Sequence, residues 1–252
     1  MDMKPDTLMT VISCVVFVCV LASCMMDSNP YIAYDNTADG DREYITFQSS
    51  YLEIDRVYIH ITEEEYRASM TEMGIRCAMT FKEIPDTFVR EERAVKVIAD
   101  YLMDKYPTDY ERARGASMLC QSAIRYCSDK ELYGYSEYWA RPTETLYNMA
   151  GDCEDTAILF CSLCKCMGIK TVLLDAPDHV ASAVCVPCWR IPYCEVDGED
   201  YYFVTTSVSG DTYYSIGEGD YADMEVYDGG NTFMYNIYSF YKIIGDKVTR
   251  WL

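Results

Sequence analysis

The chain contains 13 cysteines but only two histidines, so a cysteine that needs an imidazole beside it has just two candidates, His60 and His179. One cysteine stands out by position. Cys153 follows Gly151-Asp152 and opens the stretch Cys153 to Met167, which is apolar nearly all round and reads as a buried helix ended by Gly168. The first turn of a helix has unpaired N–H groups and the positive end of the dipole, both of which favour a thiolate. The dipole supplies about 0.3–1 kcal/mol, rising to about 2 in a partly buried site, which moves a thiol by roughly one pKa unit. Asp152, Glu154 and Asp155 work against it, so a reactive thiolate there needs an imidazolium as well. His60 lies on the polar face of a strand far upstream and reads as an ordinary surface residue. His179 opens a strand one crossover beyond the cysteine helix, where a base can meet a helix N-terminus. Cys153 as nucleophile with His179 as general base is the chemistry these residues allow.

The elements that must hold this pair can be read around it. A strand over Ile54 to Ile61 precedes a helix opened by the capping box Thr62-Glu63-Glu64-Glu65 and closed by Gly74, and Ile75 to Phe81 reads as another strand. Helical periodicity runs from Phe88 to Tyr106. A second capping box, Thr108-Asp109-Tyr110-Glu111, opens a helix reaching about Cys127, and a short helical turn occupies Glu144 to Met149. After the cysteine helix, Lys170 to Leu174, His179 to Val186 and Tyr201 to Thr206 read as strands, with Asp197-Gly198 as the hairpin turn between the last two. A closing helix is expected over Thr232 to Ile244. The fold class is therefore α+β: a small N-terminal region over 43–87, then a main domain over 88–252 in which the buried helix packs on an antiparallel sheet.

The motifs Pro142-Thr143-Glu144-Thr145-Leu146, Gly151-Asp152-Cys153-Glu154-Asp155-Thr156-Ala157 and Asp178-His179-Val180-Ala181 together resemble the transglutaminase-like superfamily, most of all its prokaryotic members. The resemblance covers about residues 90 to 217. It implies a papain-like α+β core and attack by the cysteine on an amide carbonyl, giving a thioester that passes to water or to an amine. It also implies a third site residue on the strand after the histidine, where Tyr201-Tyr202-Phe203-Val204-Thr205-Thr206 has Thr205 in place of the usual acid. A hydroxyl can accept from imidazole Nδ1–H but stabilises imidazolium less than a carboxylate does. Asp197, Asp200 and Asp211 are alternative acids, and the oxyanion hole would combine the Cys153 N–H with a donor from Tyr138 or Trp139. The departure at Thr205 keeps a second reading open, a transglutaminase-like surface protein of weak or absent activity that binds a peptide or cell-envelope partner.

Bulk properties set further bounds. With 41 acidic against 21 basic residues the chain carries a formal charge of −20, which repels phosphate backbones and disfavours nucleic acid as a partner. Thr7 to Met26 is an uncharged apolar run long enough to span a bilayer, followed by a polar spacer over 27–42. It is expected to anchor the chain, with the bulk on the extracytoplasmic face. Leu21-Ala22-Ser23-Cys24 resembles a bacterial lipobox, so Cys24 lipidation is the alternative to an uncleaved helix. No cofactor or metal is expected. Cys185, Cys188 and Cys194, with Cys161 and Cys164, could be drawn into a zinc site but lack a second loop-borne pair, and a Cys188–Cys194 disulfide competes with it.

Overall fold

The computed structural model describes residues 40–50, 53–71, 76–77, 87–176, 179–208, 213–218, 225–227 and 232–234. The apolar run 7–26 and most of the spacer lie outside the described residues. No helix among the described residues is long and apolar enough to cross a membrane.

The chain enters through a hairpin, β1 (Arg42–Ser50) and β2 (Glu53–Ile61). Ile45 faces Val57 across it, and Phe47, Ile59 and Ile61 join them in burial, so one side of the ribbon is core and the other solvent. β1 carries no clean alternation and is not evident from sequence. Its start is tied to the main domain, because Arg42 Nε and Nη2 donate to the Tyr147 carbonyl at 3.1 and 3.0 Å and Tyr147 Oη donates to the Gly40 carbonyl at 2.7 Å. The last residues of the expected spacer, Gly40 to Arg42, are thus bonded to the domain.

The capping box at Thr62 forms as expected and opens α1 (Glu63–Ser69): Thr62 Oγ1 accepts from Glu65 N at 3.1 Å, and Glu65 Oε2 accepts from Thr62 N. The helix stops at Ser69, ahead of Gly74, which lies outside the described residues. Of the strand expected over 75–81 only Arg76 and Cys77 are described, in a helical and a turn conformation. Arg76 is fixed by a buried ion pair with Glu144 at 2.7 Å, which also receives the Tyr138 hydroxyl at 2.7 Å. A strand conformation at Arg76 therefore gives way to a polar anchor.

Two helices form the layer beneath the site, α2 (Arg93–Lys105) and α3 (Asp109–Ala123). Both are shorter than the periodicity suggested. α2 begins only at Arg93 because Glu92, in extended conformation, uses its carboxylate to hold Thr143. α3 ends at Ala123 because Arg125 and Tyr126 leave it as β3, a two-residue parallel pairing with β4 (Ala150–Gly151). Between these lie α4 (Asp129–Leu132) and α5 (Pro142–Asn148), the latter started by a proline at its first turn.

The buried helix is α6 (Cys153–Cys166), every residue from Cys153 to Cys164 being buried. It packs on the centre of a six-stranded antiparallel sheet of order β10-β9-β5-β6-β8-β7, formed by β5 (Thr171–Ala176), β6 (His179–Val184), β7 (Cys194–Val196), β8 (Glu199–Val204), β9 (Glu225–Tyr227) and β10 (Thr232–Met234). The far side of the sheet has its own cluster of Val172, Leu174, Ala181, Ala183, Cys194, Val196, Tyr201 and Phe203. The Asp197-Gly198 turn forms, with φ of +52° and +81°, but it joins β7 to β8 rather than β6 to β8. The extra edge strand β7 has only three residues, too few for alternation to show. Thr232 to Met234 pairs with β9 as a strand where a helix was expected, and 235–244 lies outside the described residues. The architecture is α+β, with the cysteine-bearing helix on an antiparallel sheet.

Candidate active site

α6 begins at Cys153 because the preceding chain has no freedom to continue otherwise. β4 pairs with β3, Cys127 N donates to the Gly151 carbonyl at 3.0 Å, and Asp152 in extended conformation is the N-cap. Gly151 must be glycine: a Cβ there would stand 2.7 Å from Asp155 Cβ and 2.8 Å from Asp155 Oδ2. Thr156 locks the first turn, its hydroxyl lying 3.0 Å from the Asp152 carbonyl and 3.2 Å from Thr206 Oγ1. That last contact ties the helix start to the chain leaving β8.

Cys153 is 9% exposed, and its thiol donates to Glu154 Oε2 at 3.0 Å. Burial pushes the thiol well above its ordinary pKa, the Glu154 carboxyl pushes it further, and a hydrogen bond from the Val180 backbone N–H opposes both. Burial and the Glu154 carboxyl thus favour the protonated thiol over the thiolate. Its contact with Val180 matters because Val180 follows His179, the first residue of β6. β5 and β6 pair as a tight hairpin in which His179 faces Ala176, and this sets the half-buried His179 at the end of the strand that reaches the thiol.

Thr205 follows β8, next to β6 in the sheet, and is half-buried. Its carbonyl accepts from Gln121 Nε2 at 2.9 Å; the same amide donates to the Tyr214 carbonyl and its oxygen accepts from Tyr214 N. Gln121 on α3 thus clamps the segment bearing Thr205. The alternative acids fare differently. Asp197 and Asp200 are exposed at the β7–β8 turn, whereas Ser182 pairs with Val204 and His179 lies beyond it, so they stand roughly 20 Å along the strands from the histidine and do not orient it. Asp211 lies outside the described residues. Tyr138 is no free oxyanion donor, since its hydroxyl is held by Glu144 and Arg76 in the buried network. His60 pairs with Asp41, its Nε2 lying 3.3 Å from Oδ2, away from the site.

The cysteines of the zinc reading do not assemble: none occurs among the metal-competent groups of the described residues, and Cys188 and Cys194 are free thiols, which removes the disulfide. Cys161 and Cys164 are buried in α6 as core residues. Sequence reasoning set Asp152, Glu154 and Asp155 against the Cys153 thiolate but missed that they gather with Asp129 into one cluster beside it. Asp129, Asp152, Glu154 and Asp155 are all buried, and burial raises every one of them; the charge of its neighbours adds to this for Asp129, raised to about 7, Glu154, to about 9, and Asp155, whereas a hydrogen bond with Glu154 works against it at Asp152. The i, i+3 spacing of Asp152 and Asp155 was a readable sign. Asp129 arrives only through the β3–β4 pairing, for which two-residue strands leave no signal.

The fold and site define an α+β domain with a cysteine at the head of a buried helix against an antiparallel sheet. Residues 95–176 match the model of the transglutaminase-like superfamily, so this segment is transglutaminase-like, as its motifs suggested. The matched span runs from α2 to β5; it contains Cys153 and stops short of His179 and Thr205. No curated protein matches the chain. Among solved structures, a "putative protease" from Parabacteroides distasonis is similar at 12% identity and a TM-score of 0.34, over 68% of this chain and 31% of that one. The chain thus aligns with less than a third of that protein's length.

Proposed function

We propose that the chain is a peptide-acting cysteine enzyme in which Cys153 attacks an amide carbonyl, His179 takes and returns the proton, and Thr205 orients the imidazole. The observation that supports this most is the position of the Cys153 thiol at the head of α6, on the side where β6 begins with His179, the Val180 amide there favouring the thiolate. In the reaction the thiol proton goes to His179 and sulfur bonds to the carbonyl carbon. The C–N bond then breaks, the amine leaves with the proton from His179, and a thioester remains on Cys153. Water releases an acid, as in a protease or amidase; an amine acceptor would give a cross-link. Hydrolysis is the proposed outcome. The Cys153 backbone N–H, unpaired in the first helical turn, supplies one oxyanion donor. The apolar run 7–26 supports tethering to a membrane on the extracytoplasmic side, through a helix or through lipid on Cys24, and labelling with radioactive palmitate that Cys24→Ala abolishes would distinguish the two.

One observation favours a second reading, a binding protein of weak activity: the thiol is buried and bonded to Glu154, a carboxyl that opposes its ionisation. Incubation with a library of short peptides separates the two. The enzyme reading expects cleavage products that vanish in Cys153→Ala and a thioester trapped by mass spectrometry on acid quench. Retention of peptide by both forms with no product supports the binder.

A further inference from the structure

The acidic cluster under the helix start has a feature that charge alone does not explain. Tyr138 N donates to Asp129 Oδ2 at 2.5 Å and Ala140 N to Asp155 Oδ1 at 3.0 Å, so each carboxylate is aimed by a backbone amide. The oxygens left over, Asp129 Oδ1 and Asp155 Oδ2, together with Asp152 Oδ1, are buried without any hydrogen-bond partner. The three residues are 3%, 0% and 9% exposed. A buried carboxylate oxygen without a partner is rare in folded proteins, and three in one cluster call for something that binds them all. One oxygen from each of the three lies within 4.8 Å of the others. Oxygens bound to one calcium ion at about 2.3–2.6 Å are separated by at most about 5 Å, so this spacing fits a single ion.

We infer that Asp129, Asp152 and Asp155 form a binding site for a hard divalent cation of the calcium type. The donors are carboxylate oxygens contributed by three separate places, α4, the N-cap of α6 and its first turn, which suits calcium's loose oxygen coordination better than zinc's nitrogen and sulfur preference. A second trio, Asp129, Glu137 and Glu154, overlaps the first and extends the oxygen supply toward the exposed Glu137. Gly151 is part of the site's construction, since its missing Cβ is what lets the Asp155 carboxylate turn into the cluster. The bound ion would pin α4 and the β3–β4 pairing to the head of the helix that carries Cys153. The alternative occupant is protons, with the carboxyls held neutral and sharing them.

The test is calcium titration by calorimetry on the full chain in detergent after chelator treatment, with terbium luminescence as a second readout. A single saturable site of sub-millimolar affinity is expected, with a thermal midpoint that rises as calcium is added. Asp129→Asn and Asp155→Asn should weaken binding at least tenfold, whereas Asp197→Asn at the exposed β7–β8 turn should leave it unchanged. If Asp155→Asn does not fold, Asp129→Asn decides alone. Non-saturating binding equally affected by Asp197→Asn would mean diffuse attraction to the acidic surface and overturn the site. So would an Asp129→Asn chain that is more stable than the original in the absence of calcium and indifferent to it, the outcome expected of proton-sharing carboxyls. Neither readout involves peptide cleavage, so the cation site and the enzymatic reading can fail separately.

Discussion

Replacing Gly151 by alanine tests how tightly the head of α6 is built. The new Cβ would lie 2.7 Å from Asp155 Cβ, 2.8 Å from Oδ2 and 3.2 Å from Cγ, where carbon contacts settle near about 3.5–4.0 Å. All three belong to one short side chain on the first turn of a buried helix, so relief must come from displacing that turn or from swinging Asp155 off the Ala140 amide. Overpacking costs about 1–3 kcal/mol. A buried amide deprived of its acceptor costs about 1–3 kcal/mol. The two overlap, and a net loss of roughly 2–4 kcal/mol is expected. With a urea slope near 2 kcal/mol/M the unfolding midpoint should fall by about 1–2 M. Asp155→Ala removes the carboxyl contacts but leaves the Cβ contact, so the double variant should recover about 1 kcal/mol relative to the sum of the single losses. A Gly151→Ala chain within about 0.5 kcal/mol of the original, or strict additivity with Asp155→Ala, would refute the packing described at the helix start.

Arg76→Met leaves Glu144 buried without its cation and should destabilise the fold by about 3–5 kcal/mol in the same assay, while Arg76→Met with Glu144→Leu should recover much of that loss. A chain beginning at Gly40 should melt above one beginning at Glu43, since the shorter chain loses the Arg42 bonds to Tyr147, the Asp41 bond to Glu63 N and the Gly40 bond from Tyr147, together about 1–4 kcal/mol. Cys120, Cys161 and Cys164, whose thiols burial raises, with Cys161 at about 12, should resist alkylation in the folded chain and react only on denaturation, as peptide mapping would show.

Much of the framework was legible because strong local signals agreed with the final packing. Thr62 and Thr108 start helices through capping boxes, the all-round apolarity of Cys153 to Cys164 marks a fully enclosed helix, and Asp197-Gly198 makes its turn. The errors fall where tertiary contacts overrode local pattern. Arg76 is held by Glu144 and Tyr138 from 62 or more residues away, and Glu92 is drawn off α2 by Thr143. β3, β4 and β7 are too short for any periodicity. At the candidate site, the place of Cys153 at a helix start was legible from the apolar run it opens, and that of His179 at the start of a strand from the pattern of His179 to Val186. The carboxylate cluster was half visible: Asp152 and Asp155 sit one helical turn apart, but Asp129 joins them only because β3 lies beside β4.

The pairing of Cys153 with His179 is tested most directly by the rate at which iodoacetamide labels Cys153 at neutral pH, mapped by mass spectrometry, in the original chain and in His179→Ala. If His179 takes the thiol proton, Cys153 should react faster than Cys120, Cys161 and Cys164, and His179→Ala should slow it at least tenfold, about 1.4 kcal/mol, while the other cysteines keep their rates. A Cys153 rate that His179→Ala leaves unchanged, with the fold intact, would contradict the account.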